Sequence, residues 1–102
     1  MKFSVIIPAH NESGKLDRTV AALSEQTVGR ANIEVVVVDN HSDDDTGESA
    51  RRAGADLVVR EEVPGTNIAR GRGFRESHGE ITALLDADTV PPPSWLAHIE
   101  QN

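Results

Sequence analysis

Apolar residues fall along this chain in short blocks, and each block ends on a polar or turn-forming residue. Phe3-Ser4-Val5-Ile6-Ile7 is short, β-branched and mostly apolar, and Pro8 ends it, which predicts a first strand. The polar turn His10-Asn11-Glu12-Ser13-Gly14 follows, after which Leu16, Val20 and Leu23 recur at helical spacing beside Ala21 and Ala22. Ile33 to Val38, with four consecutive valines, predicts a strand buried on both faces that runs straight into Asp39. Asn40 to Asp45 is a turn cluster, and Asp44 with Thr46 can cap a helix over about Gly47 to Ala53. Leu57-Val58-Val59 predicts a short third strand, and the Gly- and Arg-rich stretch from Gly65 to Ser77 is expected to be helical from about Asn67. Ile81 to Leu85 predicts a fourth strand ending at Asp86. Pro91 to Pro93 then stop one element, and Ser94 can cap a last helix bearing Trp95, Leu96 and Ile99.

Strands separated by helices imply crossover connections and a mostly parallel sheet covered on both faces. The expected fold is therefore α/β, three-layered and Rossmann-like, with four strands, and it forms one domain over residues 1–102 without internal repeat or linker. In such sheets ligands bind at the carboxyl ends of the strands. Three junctions satisfy that rule: Pro8 to Glu12, Asp39 to Ser42, and Asp86 to Asp88.

Composition narrows the ligand. A chain of 102 residues holds one compact domain that buries about two-thirds of its unfolded surface. The net charge of -7 works against nonspecific nucleic-acid binding, which depends on Lys and Arg neutralising phosphates, so no nucleic-acid partner is expected. The same charge sits awkwardly with any phosphate-bearing ligand unless a cation mediates. There are no cysteines, which excludes disulfides and thiolate metal sites. No stretch approaches the roughly 18 apolar residues of a membrane span, and Met1 to Pro8 does not read as a signal peptide. A cytoplasmic location is the expectation, with membrane association of a parent protein left open.

Asp86-Ala87-Asp88 sets two carboxylates two residues apart after an apolar strand, where extended geometry turns both side chains the same way. Converging carboxylates repel unless a hard divalent cation joins them. Mg²⁺ takes one or two protein carboxylates and completes its shell with phosphate oxygens and water, which would let an acidic pocket hold a diphosphate. The plainer alternative is an Asp-rich turn leading to the next helix. Asp39 is either the side chain of an Asx-turn or the acceptor for an N–H of a ligand. Asp43, Asp44 and Asp45 suit a solvated helix start. Arg70, Arg72 and Arg75 lie among Gly65, Gly71, Gly73 and Gly79, and guanidinium forks suit phosphate. For Arg72 and Arg75, surface charge is the preferred reading. The fingerprint G-x-G-x-x-G is absent, the four histidines lack zinc-ligand spacing, and no serine has a nucleophile-elbow context.

In order, these pieces resemble the amino-terminal part of the family-2 inverting glycosyltransferases of GT-A fold. The likeness rests on Val5-Ile6-Ile7-Pro8-Ala9-His10-Asn11-Glu12 and on Val35-Val36-Val37-Val38-Asp39-Asn40-His41-Ser42 with Asp44 and Thr46. It continues through Gly65, Ala69-Arg70 and Gly73, then Gly79-Glu80-Ile81 to Leu85-Asp86-Ala87-Asp88, and ends at Pro92-Pro93-Ser94-Trp95-Leu96. The resemblance implies transfer of a sugar, with inversion, from a UDP- or GDP-linked donor to an acceptor hydroxyl. By motif position, Pro8, Ala9 and Glu12 would line the base and ribose. Asp39 would accept from uracil or an equivalent base, Arg70 would sit near the nucleotide, and Ala87 would join the substrate-binding set. Asp86 would approach the ribose or metal, and Asp88 would be the main ligand of Mg²⁺ or Mn²⁺. Asn40, His41 and Gly71 depart from the family pattern, which often has Asp, Gly and Asn there, and His41 raises the prospect of a positive φ.

In that family the catalytic base and acceptor site lie beyond the segment seen here, so the chain is expected to be truncated relative to the full fold. No catalytic residue is assigned, and the chain alone is expected not to transfer sugar. The fourth strand would then lie at an open edge, a template for pairing with a second copy. A receiver-type signalling domain is disfavoured because the first strand ends in Pro8-Ala9-His10 and the lysines are only Lys2 and Lys15. A nucleotidyltransferase would need a Gly-rich basic loop after the first strand, which is missing. A non-catalytic nucleotide-binding or interaction module stays open as the alternative.

Overall fold

A computed structural model describes residues 2–101. The elements run β1 (Phe3–Ala9), α1 (Leu16–Ser24), β2 (Ile33–Asn40), α2 (Thr46–Ala53), β3 (Leu57–Glu61), α3 (Thr66–Glu76), β4 (Ile81–Leu84) and α4 (Trp95–Gln101). All three strand pairings are parallel, and the sheet order is β3-β2-β1-β4. The expected α/β alternation is therefore present. β3 extends two residues past Val59, and β4 stops one residue before Leu85, although the Leu85 amide still donates to the Ile6 carbonyl at 3.0 Å.

Strand alternation divides the core between two faces. On one face Phe3, Val5 and Ile7 of β1 and Ile33, Val35 and Val37 of β2 pack with Leu16, Val20 and Leu23 of α1, Ala50 of α2 and Leu96 of α4. On the other, Ile6, Val36 and Val38 meet Ala69 of α3. Helices on both faces make three layers and explain why the valine run is apolar throughout: Val35 to Val38 are each 0% exposed. Full burial of such a side chain contributes about 1.5–3 kcal/mol relative to exposure.

Local sequence sets the helix ends. α2 begins at Thr46, one residue earlier than expected, and its N-cap is Asp45, which makes no side-chain cap hydrogen bond; Asp44 instead accepts from the Thr46 amide at 3.0 Å in an Asx-type turn that leads into the helix. At its far end Gly54 has φ 108°, with its amide on the Arg51 carbonyl and the Ala55 amide on the Ala50 carbonyl, which is a Schellman motif. Away from the carboxyl edge, Glu34 is buried and accepts from the Ser4 hydroxyl, the His78 amide and His78 Nδ1 at 2.7–2.8 Å. This cluster ties the α3–β4 connection under the sheet. Among the described residues, no helix is long and apolar enough to cross a membrane.

Candidate functional site

β1 and β4 are neighbours in parallel register, Ile6 opposite Leu84, so their carboxyl ends bring Pro8-Ala9 beside Asp86-Ala87-Asp88. The end of β2 and the start of α3 close a hollow of about 220 Å³ there, lined by Pro8, Ala9, His10, Glu12, Asn40, Thr66, Asp86, Ala87 and Asp88. The structure thus brings together six of the residues singled out from the sequence: Pro8, Ala9, Glu12, Asp86, Ala87 and Asp88. Ala87 is buried on the α1 side, where its carbonyl accepts from the Thr19 hydroxyl at 2.7 Å. Asp86 and Asp88, on either side of it, are exposed. Neither carboxylate makes an ion pair or side-chain hydrogen bond with any described residue. Two free, hard oxygen donors suit Mg²⁺ or Mn²⁺ better than a softer ion. No group of three metal-ligating side chains converges among the described residues, so such an ion would take its remaining ligands from phosphate and water.

The loop after β1 is held by side chains of the β2–α2 turn and of α2, among them Asp44, for which the sequence suggests no more than a solvated helix start. Four successive backbone amides donate across it: Asn11 to Ser42 Oγ and Glu12 to Thr46 Oγ1, each at 3.0 Å, then Ser13 to Asp44 Oδ2 and Gly14 to Ser49 Oγ, each at 3.4 Å. Hydrogen bonds from Thr46 hold the Asp44 carboxyl below the usual carboxylate range, and the Ser13 hydroxyl and Arg52 do the same for Asp45. Asn11 and His41 are the non-glycine residues with positive φ, 52° and 54°, among those described. His41 takes the left-handed turn foreseen for it. Asn11 uses its conformation to accept from the Asp43 amide at 2.8 Å and to face His10 Nε2 at 3.3 Å. With His10 Nδ1 2.7 Å from the Asn40 carbonyl, these partners require the neutral ring to carry its proton on Nδ1. The His10 and His41 rings lie parallel, 6.3 Å apart.

Asn40 departs from the family pattern and is fully used. Its amide donates to the Glu61 and Val63 carbonyls at 3.2 and 2.8 Å and accepts from Gly65 N–H at 3.0 Å. It thereby fixes the turn that delivers Thr66 to the hollow.

Asp39 and Arg70 do not line this hollow. Asp39 borders a second one of about 250 Å³ at the start of α2, with Arg60 across it. Arg60 Nη1 donates to Asp39 Oδ2 at 3.1 Å and to the Ser42 carbonyl at 2.9 Å, and Arg60 also pairs with Glu62. Arg70 is half-buried on α3. Among the described residues, three buried side-chain polar atoms lack any hydrogen bond: Glu12 Oε2, Asp39 Oδ1 and Arg70 Nε. Glu12 Oε2 has Lys15 Nζ 3.5 Å away, and the Asp39 carboxylate is paired with Arg60 through its other oxygen. Unpaired buried polar groups are rare and demand an explanation, and all three belong to residues chosen from sequence alone. Arg72, by contrast, pairs with Glu76 and Glu61 as an ordinary surface charge. Glu100 pairs with Lys2, which precedes β1, at the opposite end of the sheet from the hollow.

Comparison with known proteins agrees with this arrangement. The profile of Glycosyl transferase family 2 matches residues 4–101. Glycosyltransferase AglE of Haloferax volcanii is 38% identical over 98 residues, covering 91% of this chain and 32% of that protein. TarS of S. aureus superposes with a TM-score of 0.86 at 28% identity, covering 99% of this chain and 32% of that one; it has also been crystallised with UDP-GlcNAc and with UDP. The mannosyltransferase PcManGT of Pyrobaculum calidifontis, in complex with GDP-Man and Mn²⁺, superposes with a TM-score of 0.85 at 34% identity, covering 94% of this chain and 30% of its own. The chain spans about one-third of the length of these relatives.

Proposed function

The chain belongs to glycosyl transferase family 2, a family of transferases, and from that premise we propose that it binds a nucleoside-diphosphate sugar at the carboxyl edge of its sheet and supplies the donor-binding half of the transfer reaction. The observation that carries this reading is the hollow between β1 and β4, where two unpaired carboxylates meet the Pro8–Glu12 loop at a topological switch point. In this reading Asp86 and Asp88 hold Mg²⁺ or Mn²⁺, with Asp88 as the main ligand and Asp86 reaching also toward the ribose. When bound, the cation neutralises charge growing on the departing diphosphate. Pro8, Ala9, Glu12 and Ala87 line the donor, Asp39 accepts from its base, and Arg70 lies near the nucleotide. The unpaired atoms of Glu12, Asp39 and Arg70 support those roles, because a ligand would complete their hydrogen bonding. The ligands carried by TarS and PcManGT support a nucleotide-sugar donor.

The transferred sugar would pass, with inversion, to an acceptor hydroxyl. Titration of UDP and GDP by calorimetry, with and without Mn²⁺, tests the reading. Binding should need the cation and fall at least tenfold in Asp88→Ala. Metal-independent binding indifferent to that change would defeat it.

Self-association through β4 is part of the same proposal. Among the described residues β4 pairs only with β1, and the amides of Ile81 and Leu85 turn toward that strand, which leaves those of Thr82 and Leu84 facing outward. Leu84 is 42% exposed at this edge. Sedimentation equilibrium should show a dimer that Leu84→Lys dissociates, and a monomer at high concentration would refute it.

A further inference from the structure

We infer that Arg60 is a specificity-determining residue of the donor site, turning Asp39 into a single-acceptor reader that prefers uracil to guanine; this rests on the donor-site reading above. The pair is built into the sheet, because Asp39 of β2 and Arg60 of β3 are register partners. Although its side chain is 45% exposed, Arg60 is held from three sides: by Asp39 Oδ2, by the Ser42 carbonyl and by Glu62. The Asp39 side chain is 8% exposed, and with Oδ2 engaged only Oδ1 remains without a partner. Both residues border the hollow at the start of α2.

Base chemistry then decides. A carboxylate with both oxygens free matches guanine, whose ring N–H and exocyclic amino group are adjacent donors. Here one oxygen is committed, and the neighbouring group is itself a donor. Uracil presents one ring N–H flanked by two carbonyls, so Oδ1 can accept from the N–H while the guanidinium donates to a carbonyl beside it. Guanine can satisfy Oδ1, but its amino group then lacks an acceptor and competes with Arg60, donor against donor. Cytosine and adenine present a ring-nitrogen lone pair at the corresponding position, which repels the carboxylate. One unpaired polar group corresponds to roughly a tenfold loss of affinity.

Calorimetric titration of the chain with UDP, GDP and CDP in saturating Mn²⁺ tests this, using wild type, Arg60→Leu and Arg60→Lys, with circular dichroism to check folding. Wild type should bind UDP at least tenfold more tightly than GDP, and CDP more weakly still. Arg60→Leu frees Oδ2 and should shrink the UDP-over-GDP ratio about tenfold. Arg60→Lys, a point donor that cannot fork, should fall between, and it serves as the test if the leucine variant fails to fold. GDP binding as tightly as UDP to wild type would overturn the inference while leaving the donor site standing. A ratio unchanged in the variants would remove Arg60 from it. Absence of binding by every nucleotide would overturn the donor-site reading and this inference together.

Discussion

Replacing Gly73 by alanine asks how closely α3 lies on the sheet. A Cβ there would sit 2.3 Å from Ile6 Cγ2 and 3.3 Å from both Ile6 Cδ1 and Val38 Cγ2. Carbon atoms pack at about 3.5–4.0 Å, so the helix or Ile6 must move by roughly 1 Å. Ile6 is fully buried, and its β-branched side chain is stiff at χ1. Such overpacking costs about 1–3 kcal/mol. Gly→Ala inside a helix gains about 1 kcal/mol in propensity, which masks part of the cost. Gly71→Ala supplies the correction, because a Cβ there meets only Arg75 Nη1 at 3.7 Å, an ordinary contact. Propensity cancels between the two variants, leaving the packing cost as their difference. At about 4–8 °C per kcal/mol for a domain of this size, thermal denaturation should place the Gly73→Ala midpoint clearly below that of Gly71→Ala. Equal midpoints would refute the close approach. The outcome bears on function as well as stability, since α3 carries Thr66 at the hollow.

Other consequences are as direct. Asn40→Asp loses the two bonds donated to the Glu61 and Val63 carbonyls and sets a carboxylate against them; it should cost about 1–3 kcal/mol in urea denaturation, and an unchanged midpoint would contradict the stitching role. Burial opposes ionisation of Glu34, but hydrogen bonds from His78 and the Ser4 hydroxyl outweigh it and lower its pKa from 4.5. A carboxyl whose pKa is depressed in the folded state stabilises fully above its unfolded value and loses that contribution as pH falls through the folded one. The stability advantage of wild type over Glu34→Gln should therefore be complete above about pH 4.5 and shrink below it; a difference independent of pH would contradict this.

The sheet was legible because its signals are local. Four consecutive valines require burial on both faces, and Asp86 and Asp88 follow β4 at a spacing that exposes both around a buried Ala87. What escaped the sequence joins residues distant along the chain. The Asn11–Gly14 amides find their acceptors 31–35 positions away, so Ser42, Asp44, Thr46 and Ser49 carried no periodic mark of their task. Asp39 was recognisable as a strand-end carboxylate, yet its guanidinium partner depended on the β2–β3 register, which no local pattern reports. Asn40 looked like a departure from the family pattern until its three partners in the β3–α3 turn were seen.

In the proposed donor site a divalent cation would be held where β4 ends, and paramagnetic relaxation by Mn²⁺ would locate it residue by residue. Titrating Mn²⁺ with UDP into the isotopically labelled chain should broaden the amide resonances of residues 86–88 and 9–12 first and leave Glu34 and His78, across the sheet, sharp. Broadening centred on Asp43 to Asp45, or spread evenly over the acidic surface, would rule out a cation held by Asp86 and Asp88.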